Sequence, residues 1–91
     1  MSQLPSQKAV IHNDLGMHLR AAGTLVQMAS KYEATIWIQF RGVKANAKSI
    51  MSVLALAAHR GAELLISAEG KDAEGAVAAL AELVENGFEA P

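Results

Sequence analysis

No cysteine occurs in the 91 residues, so disulfides and thiolate metal sites are excluded. Aromatic residues are scarce, with one Trp, one Tyr and two Phe, although 52% of the chain is hydrophobic. Ala, Leu, Val and Ile must therefore build the core. There is no basic run and the formal net charge is −1, which argues against a nucleic-acid partner. No apolar stretch approaches the roughly 20 residues of a membrane span. The stretch from Met1 to Ser6 also lacks the long apolar segment of a signal peptide. A Gly-rich phosphate loop and an aromatic stacking platform are both missing, so a small-ligand or RNA-binding α+β domain has nothing in its favour. The three histidines have no metal-ligand spacing. The expectation is one cytoplasmic domain over residues 1–91, with no metal, no cofactor, no membrane contact and no nucleic acid. A domain of this size has a modest core and a large surface.

Hydrophobic periodicity divides the chain. Met1 to Ser6 reads as a flexible arm, and Lys8 to His12 as a short strand. Asn13, Asp14 and Gly16 mark a loop. From Leu19 to about Lys31, Ala22, Leu25, Val26 and Ala29 recur at helical spacing, with Arg20, Thr24, Gln27 and Lys31 on the opposite, solvated face. Thr35 to Phe40 alternates as a strand, with Ile36, Ile38 and Phe40 inward and Trp37 on the other face. Arg41-Gly42 turns the chain into a short strand from Val43 to Asn46. Ser49 caps a helix running to about Ala57, and His59, Arg60 and Gly61 end it, with Arg60 serving the helix C-terminus. Glu63 to Glu69 is a strand with Leu64, Ile66 and Ala68 on one face. Asp72 caps a final helix from Ala73 to Glu85 that turns Val77, Leu80, Ala81 and Val84 inward, and Asn86-Gly87 stops it. The order is βαββαβα. It predicts an α+β fold with three helices layered on one face of a four-stranded antiparallel sheet.

The chemistry concentrates in Gly16-Met17-His18-Leu19-Arg20-Ala21-Ala22. A phosphoryl acceptor needs a lone pair at neutral pH, and imidazole supplies one because its ordinary pKa is about 6.5. A helix start beside the ring favours its neutral form and offers unpaired N–H groups to a phosphate. Arg20 supplies a cation two residues on. Gly16 opens loop conformations closed to other residues.

The same seven residues resemble the active-site motif G-[LM]-H-x-R-P-A of the HPr family, the histidine-containing phosphocarriers of the bacterial phosphotransferase system. Ala47-Lys48-Ser49-Ile50-Met51-Ser52-Val53 is similar to the family segment around its regulatory serine. Gly61 to Gly70 is similar to its last strand. The resemblance runs from about Lys8 to Gly87 and implies an open-faced β-sandwich of the same βαββαβα order. It implies that enzyme I, charged by phosphoenolpyruvate, phosphorylates Nδ1 of His18, and that IIA domains receive the group. The Leu19 and Arg20 backbones would bind the phosphate, with the Arg20 side chain stabilising it. The protein would then be a monomeric carrier and not a stand-alone enzyme. Ser49 becomes a regulatory site for a serine kinase/phosphatase. A second reading has the chain act by contact alone, as a regulatory protein whose phosphorylation state is sensed by others. The tail Glu85-Asn86-Gly87-Phe88-Glu89 resembles the nitrogen-related branch, and Lys48-Ser49-Ile50-Met51 the serine-regulated one.

The chain departs from the motif at Ala21, where the family has proline. Proline in a first helical turn fixes φ and removes an N–H that has no helical partner. Alanine gives up that restriction of the unfolded chain, worth about 0.4–1 kcal/mol.

The helix after Ser49 is almost continuously apolar. Val53 and Leu56 suit an inward stripe, which leaves Ile50, or Met51 with Leu54 and Ala55, partly outward. By resemblance, partners dock on Leu19, Arg20, Ile50, Met51 and Leu54.

Overall fold

The computed structural model describes residues 3–89. Seven elements follow in the predicted order: β1 (Ser6–Val10), α1 (Leu19–Ala29), β2 (Thr35–Phe40), β3 (Val43–Asn46), α2 (Ile50–Ala55), β4 (Glu63–Glu69) and α3 (Ala73–Glu85). The four strands form one antiparallel sheet in the order β1-β4-β2-β3. Ile38 lies between Ala45 of β3 and Ile66 of β4, so strict alternation directs one apolar row inward across three strands. The inward face carries Ile36, Ile38, Leu64, Ile66 and Ala68, all fully buried. On this face α3 packs over β1, β4 and β2, and α1 packs against α2 and α3. The small side chains of Ala21, Ala22, Ala29, Ala73, Ala76 and Ala81 are all buried in this layer, where their size admits close helix packing. Among the described residues, no polar or charged residue is buried.

The β2–β3 hairpin turns through Arg41 (φ 52°) and Gly42 (φ 80°). Positive φ at both central residues matches the twist of the flanking strands. On the outer sheet face Trp37 is half-buried, with the Lys44 ammonium 5.0 Å from its ring centroid.

Several boundaries differ from the sequence expectation. The first strand begins at Ser6, which pairs with Ser67, and the Pro5 carbonyl already accepts from Ala68 N–H at 3.2 Å. The expected flexible arm therefore does not extend to Pro5 and Ser6; Met1 and Ser2 lie outside the described residues. The strand stops at Val10, whose N–H donates to the Glu85 carboxylate at 2.7 Å. Helix α1 ends two residues before Lys31, because Lys31 and Tyr32 donate to Met28 and Ala29 in tightened i→i+3 turns. Helix α2 ends at Ala55 in the same way: Leu56 and Ala57 donate to Val53 and Leu54, and Ala57 turns to φ 52°. Arg60 consequently does not serve a helix end. It pairs with Asp14 at 2.8 Å.

Asp72 stands at the N-cap position of α3, yet its side chain makes no cap bond. Both carboxylate oxygens instead accept from Glu33 and Ala34 N–H at 2.9 Å. These bonds, that to Glu33 first, hold the Asp72 carboxyl below its ordinary range. At the far end, α3 closes in a Schellman motif: Gly87 N–H donates to Val84 and Phe88 N–H to Leu83, at 3.1 and 2.8 Å. That turn places Phe88 and Glu89 beside the start of α1.

Candidate functional site

The loop from Ile11 to His18 is fixed by backbone contacts. Gly16 has φ +64°, and Met17 N–H donates to the Ala58 carbonyl at 2.9 Å. The Asn13 side-chain amide donates to the Gly16 carbonyl at 2.8 Å. Met17 is buried and anchors the loop, which leaves His18 next in line at the surface.

His18 is itself the N-cap of α1, with extended backbone (φ −85°, ψ 177°), and its carbonyl accepts from Ala22 N–H at 2.9 Å. Its Nδ1 accepts from Ala21 N–H at 3.4 Å. A backbone N–H donates only to a ring nitrogen with a free lone pair, so the ring proton sits on Nε2. The ring nitrogen that keeps its lone pair thus faces the positive end of the helix. No acidic side chain lies in the first turn. Among the described residues, Leu19 and Arg20 N–H have no acceptor in the fold, and the Arg20 guanidinium has no ion-pair partner. An open pocket of about 240 Å³ lies here, lined by Leu15, His18, Arg20, Ala21, Thr24, Gly87, Phe88 and Glu89.

The other histidines are engaged differently. His12 Nε2 donates to Glu85 Oε1 at 2.7 Å. His59 Nδ1 donates to the Arg60 carbonyl at 2.9 Å, and its ring stands edge-on to Phe40. Neither lies at a helix start.

Ser49 is the N-cap of α2 and its Oγ accepts from Ser52 N–H at 3.3 Å. Val53 is fully buried and Leu56 nearly so, as their spacing predicts. Met51 is 75% exposed, Leu19 66% and Ile50 38%, while Leu54 is half-buried against the core. Sequence reading missed Leu15, which is 78% exposed and lines the His18 pocket. An apolar residue among the turn formers Asn13, Asp14 and Gly16 was the available signal. It also missed the pocket wall from Phe88 and Glu89, which depends on the path of the chain after α3.

Residues 5–86 match the family model described as the PTS HPr component phosphorylation site. The chain is 42% identical over 79 residues to the phosphocarrier protein HPr of Xylella fastidiosa (strain 9a5c), covering 87% of this chain and 89% of that protein. The crystal structure of HPr-C-His from Thermoanaerobacter tengcongensis superposes with a TM-score of 0.87 at 41% identity, over 91% of this chain and 93% of that one. The phosphocarrier protein HPr from Bacillus anthracis str. Ames gives 0.86 at 36% identity, over 91% and 99%. With its antiparallel sheet layered under three helices and a histidine at the first helix start, this chain belongs to the HPr family, the phosphocarrier proteins of the bacterial phosphotransferase system.

Proposed function

We propose that this chain, as a cytoplasmic monomer, accepts a phosphoryl group on Nδ1 of His18 from enzyme I, charged by phosphoenolpyruvate, and passes it to IIA proteins. The observation that carries the reading is the orientation of His18, with its Nδ1 lone pair held toward the α1 N-terminus. The Leu19 and Arg20 N–H groups receive phosphoryl oxygens there, as helix N-termini receive anions generally. The Arg20 guanidinium adds charge-assisted bonds as the group arrives.

Partners dock on exposed apolar side chains of two helices in contact, Leu19 at the start of α1 and Ile50 and Met51 on α2, with Leu15 as an addition on the pocket wall and Leu54 half-buried against the core. Such a patch on a small polar surface fits protein contact, and Met adapts to more than one partner.

Ser49 is the proposed regulatory phosphosite for a serine kinase/phosphatase. A phosphate on its Oγ retains an acceptor for Ser52 N–H, so the α2 cap survives. It adds about two negative charges beside Ile50 and Met51 and weakens docking. Phosphoserine-49 protein that takes phosphate from enzyme I as fast as the unmodified chain contradicts this role.

The experiment for the carrier reading is a reconstituted relay. The protein is loaded by enzyme I and phosphoenolpyruvate, mapped under alkaline conditions that preserve phosphohistidine, then mixed with a purified IIA domain. Phosphate on His18 that moves to IIA supports the reading; phosphate elsewhere, or none, opposes it.

A further inference from the structure

We propose that the Ala21 backbone N–H is a positioning donor that changes partner during transfer. It holds the Nδ1 lone pair of His18 in the empty carrier and a phosphoryl oxygen in the loaded one. The inference rests on His18 being the acceptor.

Ala21 is the third residue of α1, so its N–H has no helical carbonyl to meet. It meets the ring instead, at a long 3.4 Å. This bond sets the tautomer, with the proton on Nε2, and turns Nδ1 toward the helix start. It also engages the lone pair that transfer consumes. In the transfer step the Nδ1 lone pair forms a bond to phosphorus, and the donor's bond to phosphorus breaks with its electron pair remaining on the donor atom. Nε2 keeps its proton, so the ring takes a formal positive charge while the phosphoryl group carries two negative charges. Nδ1 then has no lone pair left for Ala21. A phosphoryl oxygen stands one bond beyond phosphorus and within reach of a donor already in contact with Nδ1. Ala21 therefore joins Leu19 and Arg20 as a third consecutive backbone donor. A neutral N–H···N bond is exchanged for a charge-assisted one, roughly twice as strong. The exchange favours the loaded state.

A proline at this position, as in the family motif, has no N–H to offer. The Ala21 side chain is 2% exposed, so the residue also packs in the core, and its backbone role needs a test that packing alone cannot mimic. That test is amide NMR of the ¹⁵N-labelled protein before and after loading by enzyme I, with the loaded-to-empty ratio measured at fixed phosphoenolpyruvate and pyruvate. The Ala21 amide proton is expected to move downfield on loading together with those of Leu19 and Arg20. Ala21→Pro lowers the loaded-to-empty ratio about threefold to tenfold, whereas Ala21→Gly, which keeps the donor, stays within about twofold of wild type. An Ala21 amide that does not move in a protein loaded on His18 overturns the inference, as does an equal ratio in Ala21→Pro. If Ala21→Pro fails to fold, the wild-type spectra decide alone. Wild-type protein that takes no phosphate on His18 refutes the carrier reading itself, and the inference with it.

Discussion

The Ala58 carbonyl holds the His18 loop at Gly16: a Cβ on Gly16 would lie 2.7 Å from that oxygen, while Met17 N–H donates to it at 2.9 Å. Gly16 also has φ +64°, a conformation that L side chains rarely adopt. Gly16→Ala is therefore expected to lose about 1–3 kcal/mol of stability by denaturant unfolding. It should also slow phosphate acceptance, because the backbone must shift beside the acceptor. Wild-type stability with wild-type acceptance would show that this close approach does not position the ring.

Arg20 is exposed and, among the described residues, has no ion-pair partner, so its removal empties no core. Arg20→Ala should leave the melting temperature nearly unchanged. Transfer should slow at least about tenfold in both directions, equivalent to about 1.4 kcal/mol of barrier. Unchanged rapid-quench rates with enzyme I and IIA would remove Arg20 from the site.

Helix α2 carries an exposed and a fully buried apolar side chain within three residues. Met51 is 75% exposed and Val53 fully buried. Met51→Asp should weaken enzyme I binding with little effect on melting, and Val53→Asp should unfold the domain by burying an unpaired charge. Leu54→Lys should do some of both, since Leu54 packs partly against the core. Equal melting losses for Met51→Asp and Val53→Asp would place the patch wrongly.

Acid stability follows from Glu85. Its carboxylate accepts from Val10 N–H and His12 Nε2, both at 2.7 Å, and these bonds, that to Val10 first, hold its pKa below the ordinary 4.5. A lowered folded pKa stabilises the fold above the unfolded value, and the contribution disappears as pH falls through the folded one. Glu85→Gln should therefore flatten the decline in melting temperature below about pH 4.5. An acid limb identical to wild type would show that these bonds carry no linkage.

What was legible in the sequence was local. The alternation of Thr35–Phe40 and Glu63–Glu69 and the stripe of Val77, Leu80, Ala81 and Val84 specified strands, helix and inward faces correctly. His18 and Arg20 fall in one short motif, and the structure puts both on the wall of one pocket. The errors came from partners distant in sequence. Asp72 looks like a helix cap, but its carboxylate binds Glu33 and Ala34 N–H across the fold. Arg60 looks like a helix-end cation, but it binds Asp14. Phe88 joins the site only because the chain folds back after α3, which no residue spacing encodes.

If one imidazole carries the phosphoryl group, its loss alone abolishes phosphate incorporation. The direct measurement is phosphate incorporation from phosphoenolpyruvate and enzyme I into wild type, His18→Ala, His12→Ala and His59→Ala, each confirmed folded by its melting curve. Incorporation of about one phosphate per molecule is expected in wild type, His12→Ala and His59→Ala, and none in His18→Ala. Equal incorporation in wild type and His18→Ala would place the phosphate on another residue.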